Sequence, residues 1–222
     1  MKNLTLLLAA CALTQAAFAL LPTSVTEPVA VEQQGEGLQL GQTAPMLDRE
    51  MLGVDGQQHS IQSTMGDRGV LVVFSCNTCP FVVGNGEKSE GWEGRYTELA
   101  MRLQSQGFGM ILVNSNEAKR EGDDSYKAMQ TRAEVAAYPV PYVVDEQHVL
   151  ADAFGAMKTP HVYLLDSEGT LVYTGAIDDN VNSSNDVRER YVLGAVKDLV
   201  RGLPVAQPQT PAVGCSIKRV AS

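Results

Sequence analysis

The stretch that most constrains this chain is GVLVVFSCNTCPF, residues 69–81. Gly69 to Ser75 is a nearly unbroken apolar run rich in valine, with none of the polar alternation of a strand that has one face in water. Such a run predicts a strand buried on both faces, hence a sheet covered by helices on each side. Cys76-Asn77-Thr78-Cys79-Pro80 follows with no intervening loop. Two thiols are thus expected at the carboxyl end of a central strand.

That position carries chemistry. A helix starting at Cys76 leaves its first N–H groups unpaired and presents roughly half a positive charge, which stabilises a thiolate. Cysteines so placed, or in Cys-x-x-Cys pairs, titrate at about 3.5–7.5. On this reading Cys76 is the nucleophile, and Cys79, one turn in, resolves the mixed disulfide. Pro80 suits a first helical turn, where its missing N–H costs little. Two plainer readings compete. A static bridge over so short a loop removes little unfolded-state entropy. A structural zinc needs four ligands, and beyond this pair the chain offers Cys215, His59, His148 and His161.

The remaining pattern alternates. GMILVNS (109–115) predicts a second buried strand, and PYVVD (141–145) a short third one. HVYLLDSEGTLVYTGAI (161–177) reads as a hairpin turning at Asp166 to Gly169. Helices are predicted over 93–106, 123–137, 148–154 and 184–202. In the last of these Val192, Val196, Leu199 and Leu203 point inward. The glycine-rich GNGEKSEGWEG (84–94) is an excursion before the first long helix, either a groove wall beside the thiols or an inserted loop. The layout is α/β, a central mixed β-sheet flanked by helices.

The ends differ in character. Met1-Lys2, the apolar Leu4 to Leu13 and Ala17-Phe18-Ala19 have the form of a secretory signal covering 1–19, too short to span a bilayer. An exported protein, periplasmic or extracellular, is the expectation. Leu8-Ala9-Ala10-Cys11 also resembles a lipobox, and only a lipidated Cys11 would tie the chain to a membrane. Residues 20–40 read as a flexible leader, 41–203 as the folded domain, and 204–222 as a proline-rich tail. The formal net charge of −9 and the lack of Lys/Arg clusters argue against nucleic acid. Without the signal, Cys76, Cys79 and Cys215 remain. An odd thiol in an oxidising compartment calls for a use. Pro204, Pro208 and Pro211 precede Cys215, and an extended tail of this kind spans on the order of 40 Å. Cys215 is therefore expected to reach Cys76 or Cys79 and form a transient disulfide.

Several segments together resemble the redoxin group of thioredoxin-fold proteins, often filed with the alkyl hydroperoxide reductase and thiol-specific antioxidant proteins. They are GQTAP (41–45), GVDGQ (53–57), VVFSCNTCPF, ILVNSN (111–116), MKTPHVYLLD (157–166), LVYTGAIDDN (171–180) and GCSIK (214–218). The resemblance runs from about residue 41 to the end. It implies a thioredoxin-like fold and a redox dithiol at Cys76 and Cys79, with no cofactor or metal. It also implies a cis peptide bond between Thr159 and Pro160, facing the dithiol and leaving backbone free to pair with an incoming chain. His161, next in line, is a candidate base. Many thioredoxins carry a buried Asp six residues before the first cysteine. Here that position is Val70, so Asp178 and Asp179 become candidate proton acceptors for Cys79.

Three functions follow from these residues. The first is a thiol–disulfide oxidoreductase acting on protein thiols and disulfides and exchanging electrons with a membrane or periplasmic redox donor. The second is a thiol peroxidase. Peroxiredoxins place Thr or Ser three residues before the peroxidatic cysteine and Pro seven before it, whereas counting back from Cys79 finds Cys76 and Val72. The third is a copper chaperone, with two thiolates and His161 holding Cu(I). Carriers of that type space their cysteines by three residues rather than two.

Overall fold

A computed structural model describes residues 37–86 and 88–221. The expected signal segment, Cys11 and the leader up to residue 36 lie outside the described residues.

A two-stranded hairpin, β1 (Met51–Leu52) and β2 (Gln58–His59), leads into the short α1 (Ile61–Thr64). Ser60 and Ser63 cap α1 reciprocally, each side chain accepting from the other's backbone N–H. The apolar run forms β3 (Gly69–Ser75), buried at every position. After it come α2 (Pro80–Val83), α3 (Tyr96–Ser105), β4 (Phe108–Asn114), α4 (Tyr126–Val135) and β5 (Tyr142–Val144). Then follow α5 (Val149–Phe154), β6 (Lys158–Thr159), β7 (His161–Asp166), β8 (Leu171–Gly175), α6 (Tyr191–Val200) and β9 (Cys215–Ser216).

The central sheet has the order β5-β4-β3-β7-β8, with β3, β4 and β5 parallel and β7 and β8 antiparallel to their neighbours. Strand alternation splits its side chains into two cores. Leu71 and Val73 of β3, Met110 and Leu112 of β4, and Val162 and Leu164 of β7 face the helices α3 and α6. Val70, Val72 and Phe74, with Ile111, Val113, Tyr163 and Leu165, face α1 and α5. Phe74 meets Phe154 and Tyr163 edge-on, with ring centroids 5.7 and 5.6 Å away. Truncating such a ring to Ala costs about 3–5 kcal/mol. Because three neighbouring strands are parallel, their carboxyl ends gather Cys76, Ser115, Asn116 and Asp145 along one edge of the sheet.

Several expectations shift. Leu203, expected inward, is 51% exposed. α6 stops at Val200 and Gly202 turns with φ +70°, so the apolar spacing runs past the end of the helix. Residues 184–190, expected helical, are loop. The domain's contacts also begin before Gly41, since the Leu38 N–H donates to the Phe154 carbonyl (3.2 Å) and its side chain packs on the second core. The tail is no free tether either. The Thr174 N–H donates to the Pro208 carbonyl, and the Thr210 N–H to the Thr174 carbonyl, both at 3.0 Å. The tail continues to β9, which pairs with β6.

Candidate active site

The turn after β3 does not start a helix at Cys76. Pro80 disfavours helical backbone at the residue before it, and Cys79 is extended at φ −68°, ψ 124°. Cys79 is therefore the N-cap, and α2 is only four residues long, closed by Gly84 at φ +82°. The expected helix dipole beneath Cys76 is absent. Its thiol lies a full turn before the helix.

Both thiols are enclosed, Cys76 2% and Cys79 4% exposed. Thr159 lies over them. Its Oγ1 is 3.2 Å from Cys76 Sγ, and its carbonyl oxygen is 3.0 Å from Cys79 Sγ. The Thr159–Pro160 bond is cis. Cys215 completes the group. β9 pairs antiparallel with β6, setting Cys215 opposite Thr159 and Ser216 opposite Lys158. Its half-buried thiol packs against Cys76, Cys79 and Val82 and lies within hydrogen-bonding reach of Cys79.

These contacts polarise the thiols. Cys79 is brought down to about 5, chiefly by the hydrogen bond it receives from the Cys76 thiol. Burial opposes this, and the Cys215 thiol, the Cys215 backbone N–H and the Thr159 hydroxyl reinforce it. The Thr159 carbonyl favours the protonated form, one acceptor against several donors. Cys76 is driven well above its ordinary value, because its proton is engaged by Cys79, burial disfavours its anion, and the charge of Asp124 repels it. Cys215 is pushed up to about 11 by burial and by its hydrogen bond to Cys79, with Lys218 and Lys158 pulling the other way. The direction of these shifts favours the anion on Cys79 over Cys76, the sulfur expected as the nucleophile.

Beneath the pair lies a polar bed. Asp124, fully buried, accepts from the Asn77 N–H (2.9 Å), Asn114 Nδ2 (2.8 Å) and Asn116 Nδ2 (2.9 Å). The Tyr142 hydroxyl donates to Asn77 Oδ1 (2.9 Å). A cleft of about 110 Å³ is lined by the three cysteines, Thr159, Asp124, Lys119 and Lys218 among others, and Asp124 is the one carboxylate in that lining. In sequence Asp124 is only one of the residues opening the helix expected over 123–137. The available signal was the Asn114-x-Asn116 pair leaving a buried strand, since amides there need a buried partner.

The remaining expected site residues stand elsewhere. Asp178 accepts from Trp92 Nε1 (2.7 Å) and pairs with Arg95 Nη1 (2.7 Å). It is an anchor for the glycine-rich excursion, which resolves that segment as a pinned loop around the buried Trp92 rather than a wall of the thiol cleft. Asp179 is exposed and accepts from the Arg188 N–H (3.0 Å). Neither aspartate lines the thiol cleft, so both are corrected as proton acceptors. His161 is hydrogen-bonded by Tyr163 (3.3 Å) and Thr174 (3.2 Å) and is lowered to about 4 by burial. It too is absent from the cleft lining, which removes it as a base for the dithiol and as a third metal ligand beside the thiols. Among the described residues no cluster of three or more His, Cys, Asp or Glu has metal-binding geometry.

Fold and site together put the chain among the oxidoreductases of thioredoxin-like architecture. Comparison with solved structures agrees on the fold. An uncharacterized conserved protein from Geobacillus kaustophilus is 31% identical, with a TM-score of 0.73 over 83% of this chain and 94% of that one. A hypothetical protein from Sinorhizobium meliloti 1021 is 28% identical, with a TM-score of 0.73 over 84% and 98%. The pneumococcal exposed lipoprotein thioredoxin from Streptococcus pneumoniae shares the fold at 21% identity, with a TM-score of 0.50 over 68% and 98%. A search of curated protein sequences gives no match. The chain belongs to the Redoxin family, whose model matches residues 39–189. Among the described residues no helix is long and apolar enough to cross a membrane.

Proposed function

We propose that this redoxin is an exported thiol–disulfide oxidoreductase whose working pair is Cys76 and Cys79. The observation that carries the reading is the mutual contact of the two thiols under Thr159, with the anion held on Cys79. A dithiol with one sulfur already ionised needs no external base to begin exchange. One partner disulfide is reduced to two thiols while Cys76 and Cys79 close to a disulfide. Cys79 sulfur takes part in both steps, and the Cys76 proton leaves toward Asp124 or the departing thiolate. The reverse sequence oxidises a partner dithiol. Export rests on the form of residues 1–19, and its partners there would be protein thiols and a membrane or periplasmic electron donor.

The experiment is titration of the full chain against glutathione redox buffers, with peptide mapping under non-reducing conditions. A reversible Cys76–Cys79 disulfide, lost in both Cys76→Ser and Cys79→Ser, is the expected outcome. Failure to find that disulfide sinks the reading.

A second reading, thiol peroxidase, is supported by one feature. The backbone edge at Thr159 is already paired by β9, which disfavours an extended peptide and leaves small molecules access. A peroxide would be cleaved by Cys79, giving a sulfenic acid and an alcohol or water, and Cys76 would then condense to the disulfide with loss of water. Stoichiometric peroxide consumption coupled to a dithiol reductant separates it from the first reading.

A further inference from the structure

The backbone at Thr159 lies beside the dithiol and ahead of the cis proline, and a strand edge in such a place can pair with an extended peptide. Here the chain fills that edge with itself. β9 runs antiparallel to β6, with Cys215 directly opposite Thr159. The seat is shaped for it. A Cβ on Gly214 would collide with the Thr159 carbonyl group, its carbon only 2.7 Å away. Beyond Cys215, Ile217 is buried in the second core and its N–H donates to the Met157 carbonyl (3.1 Å). The Lys218 N–H donates to Asn116 Oδ1 (2.8 Å), and Arg219 Nε to Asp152 Oδ1 (2.7 Å). The seated strand thus brings a third sulfur against the dithiol cluster, at a less buried position than either of its thiols.

We propose that β9 is a built-in substrate strand and that Cys215 is the thiol through which the buried pair exchanges disulfides with outside partners. The inference rests on Cys76 and Cys79 being a redox pair. In the oxidised protein, Cys215 attacks Cys79 sulfur. The Cys76–Cys79 bond breaks, the Cys79–Cys215 bond forms, and the proton lost by Cys215 is balanced by the one gained by Cys76. A partner dithiol then attacks Cys215 sulfur, releasing Cys79 and forming a mixed disulfide. The partner's second thiol closes on the first and frees Cys215. Two electrons and two protons pass from the partner to Cys76 and Cys79, and the reverse order carries them outward. Oxidising the dithiol also removes the neighbouring Cys79 anion that holds Cys215 protonated, so Cys215 ionises more readily when it is needed, aided by Lys158 and Lys218.

Two measurements on the full chain test this. Cys76→Ser, treated with one equivalent of diamide, is expected to give an intramolecular Cys79–Cys215 disulfide in most molecules. Cys215→Ser, oxidised at Cys76–Cys79, is expected to be reduced by a dicysteine peptide at least tenfold more slowly than the unsubstituted chain. Cys215→Ala serves as a second variant against misfolding. Oxidised Cys76→Ser that yields only free Cys215 or intermolecular dimers overturns the relay, as does an unchanged or faster rate in Cys215→Ser, which would make β9 a mere cover. Absence of a Cys76–Cys79 disulfide in the unsubstituted protein is a different result and removes the underlying reading instead.

Discussion

Gly214→Ala isolates the seating of the tail from its chemistry, because it leaves all three cysteines intact. The added methyl group would run into the Thr159 carbonyl group and lie 3.2 Å from Pro160 N, backbone atoms that cannot swing aside as a side-chain tip can. The strand must lift. Lifting exposes Ile217, whose burial is worth about 1.5–3 kcal/mol. It also loosens the β6–β9 pairing and the bonds at Met157, Asn116 and Ala118, each worth about 0.5–1.5 kcal/mol net. Replacing Gly by Ala returns about 0.4–1 kcal/mol through the unfolded chain. Since the strand relocates rather than disappears, a net loss of about 2–4 kcal/mol is expected. For a domain of this size that lowers Tm by roughly 5–15 °C. Urea unfolding gives the stability, and amide hydrogen exchange at Ile217 and Lys218 reports the strand. A loss below about 0.5 kcal/mol with Ile217 still protected would refute the steric account of the seat.

Three further outcomes follow from the site. With Cys79 lowered to about 5, alkylation of the reduced protein at Cys79 should have a midpoint near that pH. Because the folded value lies below the unfolded one, the stability this group contributes is present above about 9 and lost as pH falls toward 5, so the gap between reduced protein and Cys79→Ala should narrow over that window; a midpoint near 9 refutes the anion. Asp178→Ala takes the main partner from the half-buried Arg95 and should cost up to about 3 kcal/mol in denaturant unfolding, yet leave the dithiol reduction potential unchanged; a changed potential would restore Asp178 to the thiol chemistry. His161, lowered to about 4 by burial, favours the folded state above about 6.5 and withdraws that stability as pH falls through 4, so His161→Gln should flatten acid unfolding between those values while the exchange rate stays the same.

What could be read from sequence was what repeats locally. Unbroken apolar runs locate β3 and β4, and Asp166 to Gly169 mark the hairpin. Pro80 is also legible as a first-turn residue, but its steric effect on Cys79 moves the helix start past both thiols. Asp178 and His161 offer the functional groups that proton transfer needs, but their partners, Arg95, Trp92 and Thr174, belong to other elements that no local pattern names. Asp124 was hidden for the same reason, being defined by amides from two different strand ends. The seat of Cys215 depends on a missing side chain at Gly214 meeting Thr159, a contact between distant segments.

That contact has a consequence for how the protein is made. A chain synthesised or threaded through a membrane from its N-terminus presents Cys76 and Cys79 long before Gly214 and Cys215 emerge. The sheet that carries the dithiol can assemble while the edge at Thr159 is still vacant. During that interval the two thiols are open to any oxidant or foreign thiol in their surroundings, and arrival of the final strand closes the interval. The last structural element to appear therefore acts as a seal on the first chemistry the chain can perform.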